Sequence, residues 1–402
     1  MGAQAASHVV IEPEETTAVA VPQSVRTLQI GMRWLDSGAG GLDRVFHDLA
    51  YSLPGQGVAV HGLVAQPADV AAWTNGKIEA FATKGAGLPT RLLGARRAIG
   101  RLVDGGGIDL VAGHFALYLS AALGRLGDMP LVQHFHGPWA QESNFEGQKR
   151  LAVMVKKAIE RRVYRRADRF IVLSRAFADL LVREYGADPE RIRIVPGSVD
   201  LDRFTNRLTR GEARDALGWS TGRPILLATR RLIARVGLDQ LIAAIQTVRR
   251  SVPDVLLLIA GRGPLESALR KQIDEGGLRA NVRLLGFLPD DQLPLAYRAA
   301  DINVVPTAAL EGFGLTAAEA LAAGTPSMVT PIGGLPEVVA DLAPDLVFAS
   351  GTAPDLAAGL IAALKGEIVL PNSAACRAYA EARFANSLAA ARTAAVYREL
   401  LA

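Results

Sequence analysis

The stretch that most constrains the fold covers residues 306–326 and reads PTAALEGFGLTAAEALAAGTP. It follows an apolar run at 302–305 that predicts a buried parallel strand, so the order is strand, glycine-bearing loop and helix. Gly312 and Gly314 lack a Cβ, so the backbone can approach a ligand closely while the following N–H groups stay free. We therefore expect an anion site at the start of a helix over 316–323.

Two acids, Glu311 and Glu319, flank this turn and are separated by seven residues. Thr316-x-x-Glu319 also fits a capping box, in which Glu319 would only fix the start of the helix. That alternative does not account for Glu311, which has no basic neighbour in sequence. Carboxylates accept hydrogen bonds from sugar hydroxyls, and backbone N–H groups hold negative charge. The pattern therefore indicates a ligand with both groups, such as a nucleotide sugar.

The stretch resembles the Glu-x7-Glu signature of retaining, nucleotide-sugar-dependent glycosyltransferases of glycosyltransferase family 4, which have the GT-B fold. Every fixed position of the family pattern, roughly E-G-F-G-L-x-x-x-E-A-x-A-x-G-x-P, is present. The resemblance implies that Glu319 contacts the nucleotide ribose and that Glu311 lies against the donor sugar as a catalytic residue. It also implies that the turn holds the donor diphosphate through Gly312, Phe313, Gly314, Leu315 and Thr316.

Strands and helices alternate in two halves, which predicts an α/β protein with two Rossmann-like domains. The family resemblance adds a deep interdomain cleft and a C-terminal helix that crosses back to the first domain. Residues 1–24 show no periodicity and predict a disordered leader. We then expect an acceptor-side domain at 25–200, a linker at 201–222, a nucleotide-sugar-binding domain at 223–384, and the C-terminal helix on the first domain at 385–402.

Composition excludes several classes of protein. The net charge is +4 and the sequence pI about 9.3, with no recurring basic stripe of the kind that binds nucleic acid. The single cysteine, Cys376, excludes an internal disulfide framework and favours a reducing compartment. No window is apolar enough to span a bilayer, and no signal peptide is evident. The expected location is the cytoplasm.

The first predicted strand, residues 26–32, leads into a glycine-rich turn that contains Gly40 and Gly41. A dinucleotide fingerprint fails here, because its sixth position is Asp43 and no acid follows the next strand. The family carries a Gly-Gly turn at this place near the donor phosphates. The resemblance therefore implies that Gly40 and Gly41 belong to the donor site.

Three histidines lie at or near the ends of two predicted strands, 108–112 and 130–135, and Trp139 follows the second strand. Ligands bind at such ends in a parallel sheet, although ordinary polar residues at a sheet edge are the alternative. A metal pair lacks an apparent third ligand, so we expect no metal. The resemblance favours His136 as the residue near the sugar, with His134 second. The acceptor-side candidates are His114, His134 and Trp139.

The loop after the first strand of the second domain departs from the family pattern. The family usually reads G-R-L-x-x-x-K-G, where the arginine and lysine neutralise the diphosphate. Arg231 matches the arginine and is a catalytic candidate, whereas Val236 stands where the lysine belongs. Either Arg235 reaches the phosphates instead, or the donor site is weakened. Gly261 and Gly263, in the next loop, are further donor-site candidates.

A basic segment at 149–166 predicts an amphipathic helix with apolar residues every four positions, among them Leu151, Val155 and Val163. One interpretation is a packed helix whose long basic side chains reach into water. The other is peripheral contact with anionic lipid on the inner face of the membrane.

The function predicted from these features is a metal-independent, cofactor-free transfer of a sugar with retention. The donor is a nucleoside diphosphate sugar, UDP-linked in preference to GDP-linked, and the acceptor is a carbohydrate or a lipid-linked molecule of polysaccharide or glycolipid biosynthesis. Two alternatives remain open. One is a noncatalytic nucleotide-sugar-binding relative, and the other is a GT-B phosphorylase or epimerase.

Overall fold

The computed structural model describes residues 9–10, 24–35, 40–65, 69–83, 85–205 and 208–402. The chain divides into two compact units. The first contains residues up to Ser198 together with Asn386–Ala402, and the second contains Val199–Ala385. Each unit has a parallel sheet with helices, as expected for α/β domains.

The described part of the first unit forms an eight-stranded parallel sheet in the order β1-β8-β7-β6-β5-β2-β3-β4. The strands are β1 Val9–Val10, β2 Val25–Ile30, β3 Val58–Ala65, β4 Ile78–Ala82, β5 Leu110–Gly113, β6 Leu131–Phe135, β7 Arg169–Val172 and β8 Ile192–Ile194. The central strands are buried on both faces, which explains their continuous apolar runs. Strands β2, β5 and β6 are neighbours, so side chains at their carboxyl ends come together.

Helices connect these strands. They are α1 Gly41–Ser52, α2 Val70–Trp73, α3 Leu88–Asp104, α4 Ala116–Ser120, α5 Trp139–Phe145, α6 Arg150–Arg166 and α7 Arg175–Tyr185. The helix predicted over 149–166 is therefore confirmed as α6, although only the C-terminal half of its expected apolar stripe packs. Val163 is buried, whereas Leu151 and Val155 are exposed.

The second unit has a five-stranded parallel sheet in the order β11-β10-β9-β12-β13. Its strands are β9 Ile225–Thr229, β10 Leu256–Ala260, β11 Val282–Gly286, β12 Ile302–Val305 and β13 Ser327–Val329. Its helices are α8 Leu201–Phe204, α9 Arg210–Leu217, α10 Leu238–Ser251, α11 Glu266–Glu275, α12 Leu293–Ala299, α13 Leu315–Ala322, α14 Leu335–Val339, α15 Ala353–Lys365 and α16 Ser373–Phe384.

The last helix, α17 Asn386–Leu401, returns to the first unit, as the family resemblance implies. Its buried face includes Val396 and Tyr397, and Glu399 pairs with Arg169 of β7 and Arg193 of β8. Among the described residues, no helix combines the length and the hydropathy that crossing a bilayer requires.

Two predicted segments differ from the structure or fall outside it. The segment 201–222, expected to be a linker, contains α8 and α9 and belongs to the second unit. Thr209 caps α9 by accepting a hydrogen bond from the Glu212 N–H, so a local capping box explains the helix. Most of the predicted leader at 1–24 lies outside the described residues, although β1 pairs with β8.

Candidate active site

The glycine turn of the second unit opens α13, one residue before the predicted start. Gly314 is the N-cap residue, and its φ of +99° lies in the left-handed region that favours glycine. A Cβ at this position would come within 2.4 Å of Leu335 Cδ2. No side chain caps this helix start in the part of the chain that the structure describes. The first N–H groups of α13 are therefore left for water or for an anion.

Thr316 and Glu319 do not form the capping box that their spacing allows. Thr316 is the second residue of α13, so it cannot be the N-cap, and Glu319 lies within the helix. The Glu319 side chain is buried and accepts a hydrogen bond of 2.9 Å from the Tyr297 hydroxyl. The purely structural alternative for Glu319 as a cap is thus wrong, because the helix begins two residues too early for it.

Glu311 has a basic partner in space although it has none in sequence. The Arg230 guanidinium, at the end of β9, forms an ion pair with the Glu311 carboxylate. Arg230 Nη2 also donates to Thr307 Oγ1 at 2.9 Å, and Thr307 Oγ1 donates to Glu311 Oε2 at 3.2 Å. Arg230 Nη1 lies 3.4 Å from Thr316 Oγ1. One cation therefore joins Glu311 to the start of α13.

This environment keeps the Glu311 carboxyl ionised. Burial works to raise its pKa, but the charges of Arg230 and Arg235 and the hydrogen bonds from Arg230 and Thr307 outweigh it. The result is a pKa below the ordinary range for glutamate. An ionised acid at this position can accept hydrogen bonds from hydroxyl groups.

Arg231, which matches the family pattern, and Arg235, the candidate replacement for its lysine, have surroundings different from those of Arg230. Arg231 is exposed. Arg235 donates from Nη1 to the Leu310 carbonyl at 2.9 Å, so its guanidinium also contacts the Glu311 loop. Val236, at the lysine position, is buried.

For several predicted donor-site residues, packing within the second unit explains which amino acid occupies the position. The Phe313 side chain is buried and packs edge-on against Phe384, with ring centroids 5.4 Å apart, so only its backbone faces the turn. A Cβ on Gly261 would come within 1.9 Å of the Arg230 carbonyl, and one on Gly263 within 2.4 Å of the Leu232 carbonyl. Close packing against the Arg230 loop explains these two glycines. Gly312 and Leu315 lie in the turn and at the start of α13, and both are partly exposed.

In the first unit, Gly40 and Gly41 begin α1, and residues 36–39 of the same turn lie outside the described part. The Gly40 N–H donates to Asp43 Oδ2 at 3.1 Å. Asp43 is buried and pairs with Arg33 at 3.2 Å, and burial raises the pKa of its carboxyl. The Asp43 carboxyl therefore accepts from the Gly40 N–H at the start of α1.

The three histidines come together as their positions at strand ends predict, and residues that the sequence did not indicate join them. His114 Nε2 lies 2.9 Å from Gln29 Oε1, and His114 Nδ1 lies 3.0 Å from His136 Nε2. His134 Nε2 lies 2.8 Å from the hydroxyl of Tyr397 on α17. Gln29 Nε2 donates to the same hydroxyl at 3.1 Å. Strand order brings Gln29 here, whereas Tyr397 comes from the far end of the sequence.

A chain of hydrogen bonds fixes which nitrogen of His136 carries the proton. The Thr27 hydroxyl donates to the Ala59 carbonyl at 3.0 Å, so it accepts from Gln29 Nε2, also at 3.0 Å. Gln29 Oε1 therefore faces His114, which must donate from Nε2. A neutral His114 then accepts at Nδ1, so His136 donates from Nε2. The Nδ1 lone pair of His136 is left as an acceptor.

These histidines are neutral. Burial lowers the pKa of His114 and His134 well below the ordinary value, and their neighbouring imidazoles lower it further. Burial also lowers the pKa of His136 to about 4. At neutral pH, His136 is a hydrogen-bond acceptor and carries no charge.

The histidine cluster supplies the third potential metal ligand that the sequence lacked. One ring nitrogen from each of His114, His134 and His136 lies within 4.8 Å of the others. An ion must lie in the plane of each ring that ligates it. The His114 and His134 rings are stacked, with centroids 4.1 Å apart and planes 14° apart, so one ion cannot lie in both planes. As arranged, the rings serve the hydrogen-bond chain, and a shared ion would require a ring to turn.

Trp139 begins α5, three residues after His136. It packs edge-on against Phe115, with ring centroids 5.2 Å apart, and Lys156 Nζ lies 4.7 Å above its ring. Trp139 is partly exposed, so it remains available as the predicted acceptor-side surface.

The two units match two families. Residues 39–203 match Glycosyltransferase Family 4, and residues 209–383 match Glycosyl transferases group 1. Among solved structures, the chain is similar to sucrose-phosphate synthase from Thermosynechococcus elongatus, with a TM-score of 0.76, 21% identity, and coverage of 94% of this chain and 99% of that one. It is also similar to Anabaena HepE in complex with UDP and glucose, with a TM-score of 0.74, 19% identity, and coverage of 93% and 100%.

Curated relatives include D-inositol 3-phosphate glycosyltransferases. The protein from Segniliparus rotundus is 32% identical over 243 residues, which is 58% of this chain and 53% of the relative. The protein from Nocardia farcinica is 33% identical over 268 residues, which is 64% of this chain and 58% of the relative. The chain thus spans a little over half the length of these relatives.

The fold is that of the GT-B glycosyltransferases, with two parallel-sheet α/β domains. Most of the first unit thus matches a glycosyltransferase family 4 domain, and most of the second unit matches a glycosyl transferases group 1 domain.

Proposed function

We propose that this protein transfers a sugar from a nucleoside diphosphate sugar to a carbohydrate or lipid-linked acceptor, with retention at the anomeric carbon. The observation that carries the proposal is the juxtaposition of ionised Glu311, Arg230 and the uncapped start of α13. Backbone N–H groups suit a diphosphate, and the carboxylates of Glu311 and Glu319 suit sugar and ribose hydroxyls. HepE, similar in fold, has been solved with UDP and glucose, which favours a UDP-sugar for the first trials.

Charge development in the reaction gives each group a role. As the glycosidic bond stretches, negative charge grows on the leaving diphosphate and positive charge grows on the sugar ring. The start of α13, Arg231 and Arg235 would stabilise the diphosphate, so we propose that no metal or other cofactor is required. Glu311 would orient the sugar, and holding donor and acceptor together would lower the entropic cost of reaction.

In the first unit, His136 would contact the acceptor through its Nδ1 lone pair. His114 and His134 would act through His136, and Trp139 would offer an apolar face to a sugar ring. The relatives named for D-inositol 3-phosphate make that compound one acceptor to include in trials. The single buried cysteine supports the cytoplasm as the proposed location.

Contact with the inner face of the membrane is a further part of the proposal. Leu151 and Met154 are 73% and 61% exposed at the start of α6, next to Lys149 and Arg150. Apolar and cationic side chains on one exposed helix end suit an anionic lipid surface. We expect the protein to sediment with vesicles that contain phosphatidylglycerol and not with phosphatidylcholine alone. Loss of this difference in Leu151→Ser/Met154→Ser supports the assignment to α6, and sedimentation unchanged by the substitutions rejects it.

The decisive test combines binding and turnover. Isothermal titration with UDP, GDP and ADP, with and without magnesium, should show one nucleotide bound in the absence of metal. Glu311→Gln should keep that affinity but lower sugar transfer by at least about 100-fold, since it removes a charge that acts on the reacting sugar. Glu266→Gln, which changes a partly exposed acid of α11 that pairs with Arg270, is the matched control. Absence of binding by every nucleotide would refute the transferase proposal.

A further inference from the structure

The loop after β9 differs from the family pattern at two positions, and the two changes are complementary in charge. In the pattern G-R-L-x-x-x-K-G, the lysine is replaced by Val236, so one positive charge is missing. Arg230 stands at the position of the first glycine, so one positive charge has been added six residues earlier.

Arg230 brings its charge to the start of α13. Its side chain is only 10% exposed, and its guanidinium contacts Glu311, Thr307 and the Thr316 hydroxyl. The Arg230 Nε is buried and has no hydrogen-bond partner among the described residues. The guanidinium is therefore a buried cation beside the first N–H groups of a helix, and one of its donors is unsatisfied.

Position 236 lies against the same loop that receives Arg230. The Arg235 carbonyl accepts hydrogen bonds from the N–H groups of Ala308 and Ala309, at 2.9 and 3.1 Å. A Cβ on Gly237 would come within 2.1 Å of the Pro306 carbonyl. Both neighbours of Val236 thus touch the segment that leads to Glu311. A long side chain at position 236 and the side chain of Arg230 would therefore both begin next to the loop that contains Glu311.

We propose that Arg230 supplies the phosphate-facing cation that position 236 lacks, and that Glu311 and Thr307 hold it beside the start of α13. The ligand class is a nucleoside diphosphate, so this inference rests on the proposed function. Arg230 pairs with Glu311 in the free protein, and its guanidinium has enough N–H groups to donate to a phosphate as well. Arginine is suited to this task because its planar fork can serve a carboxylate and a phosphate together.

The test is calorimetric titration of UDP, or of whichever nucleotide the wild type binds, into the full chain. Arg230→Gly and Arg230→Met should weaken binding by roughly 10- to 100-fold, as expected for loss of a charge-assisted hydrogen bond. Adding Val236→Lys to Arg230→Gly should recover at least about tenfold of the affinity. Arg249→Met is the matched control, since Arg249 contacts the carbonyls of Gly276 and Gly277 and not the Glu311 loop.

The outcomes separate this inference from the proposed function. If the wild type binds no nucleotide, the proposed function fails. If the wild type binds and Arg230→Met stays within about threefold of it, the function stands and the inference is wrong. If Val236→Lys does not recover nucleotide affinity in the Arg230→Gly protein, Arg230 does not replace the lysine of the family pattern. Arg230→Met keeps the length of the side chain, so it carries the test if Arg230→Gly does not fold.

Discussion

His136 presents an acceptor nitrogen because of hydrogen bonds that begin in the neighbouring strands. We predict that His114 and His136 both carry their proton on Nε2, because Gln29 Oε1 accepts from His114 Nε2 and His114 Nδ1 then accepts from His136 Nε2. Nitrogen chemical shifts of histidine-labelled protein report each tautomer directly. Since the pKa of His136 is about 4, these shifts should stay constant from about pH 6 to about pH 8.

Thr27→Val provides the perturbation for this prediction, because it removes the hydroxyl that orients Gln29. We expect a mixed population of His114 and His136 tautomers in this variant. Thr74→Val removes another buried hydroxyl of the first unit, bonded to the Val70 carbonyl at 2.8 Å, and should leave the histidine signals unchanged. A wild-type His136 protonated on Nδ1 would contradict the hydrogen-bond chain.

At this scale the sequence indicates which residue types matter better than which atoms meet. The sequence identifies Glu311 and the strand-end histidines as candidates, because reactive side chains occur there in a loop and at the ends of strands. Their roles remain predictions. The sequence does not indicate Arg230, because the neighbouring Arg231 fits the family pattern. Only the folded loop shows that the Arg230 side chain is the one that contacts Glu311. Tyr397 escapes because nothing local connects it with His134.

Among the helices, α6 carries a buried acid with an unusual environment. The Glu160 side chain is fully buried and accepts hydrogen bonds from the Tyr185 hydroxyl at 2.8 Å and from the Ala140 N–H at 3.3 Å. Burial raises its pKa to about 7, although these hydrogen bonds work in the opposite direction. Tyr164 and Glu142 are the other titratable groups that act on it.

This shift predicts a pH-dependent contribution to stability. The folded state holds the Glu160 proton up to about pH 7, whereas the unfolded chain releases it near the ordinary value for glutamate. The contribution of Glu160 is therefore fully present in acid, falls as the pH rises, and is about 3 kcal/mol less favourable above pH 7. Urea unfolding at about pH 5 and about pH 8 should show this contribution as the difference between the wild type and Glu160→Gln.

Glu160→Gln should remove this contribution and leave that of the buried histidines, because the amide does not titrate in this range. The difference between wild type and variant isolates Glu160 from the buried histidines, whose lowered pKa values act in the opposite sense. Equal pH dependence in the two proteins would contradict the assignment.

Element boundaries follow closely from the sequence where apolar periodicity is strong. The predicted helix at 149–166 is confirmed as α6, and the strand at 302–305 as β12. The short strand β4 and the helix α16 give no clear signal in the sequence, because IEAFA is brief and α16 is rich in alanine with little amphipathic contrast. The sequence indicates the start of α13 one residue too late, because its left-handed N-cap residue, Gly314, resembles an ordinary loop glycine.

On the scale of the molecule, the first unit depends on α17. Tyr397 and Val396 are fully buried there, and each such side chain contributes about 1.5–3 kcal/mol. A chain that stops at Ala385 should therefore lose cooperative unfolding of the first unit, since domains have only about 5–15 kcal/mol to lose. The second unit, Val199–Ala385, should keep its transition.

Intrinsic fluorescence can follow this difference, because Trp34, Trp73 and Trp139 lie in the first unit and Trp219 in the second. Glu399→Ala in the full chain is the control. It removes only partly exposed ion pairs and should cost about 1 kcal/mol or less. A truncated chain with unchanged tryptophan fluorescence would show that α17 is dispensable.

The return of α17 also sets an order of assembly. During synthesis the strands of the first unit emerge first. Gln29 and His134 cannot form their hydrogen bonds with Tyr397 until the whole second unit has been made. The second unit is continuous in sequence and can be completed as soon as it leaves the ribosome. The half of the protein that is translated first is therefore finished last, and its sheet must stay open for docking while its neighbour folds.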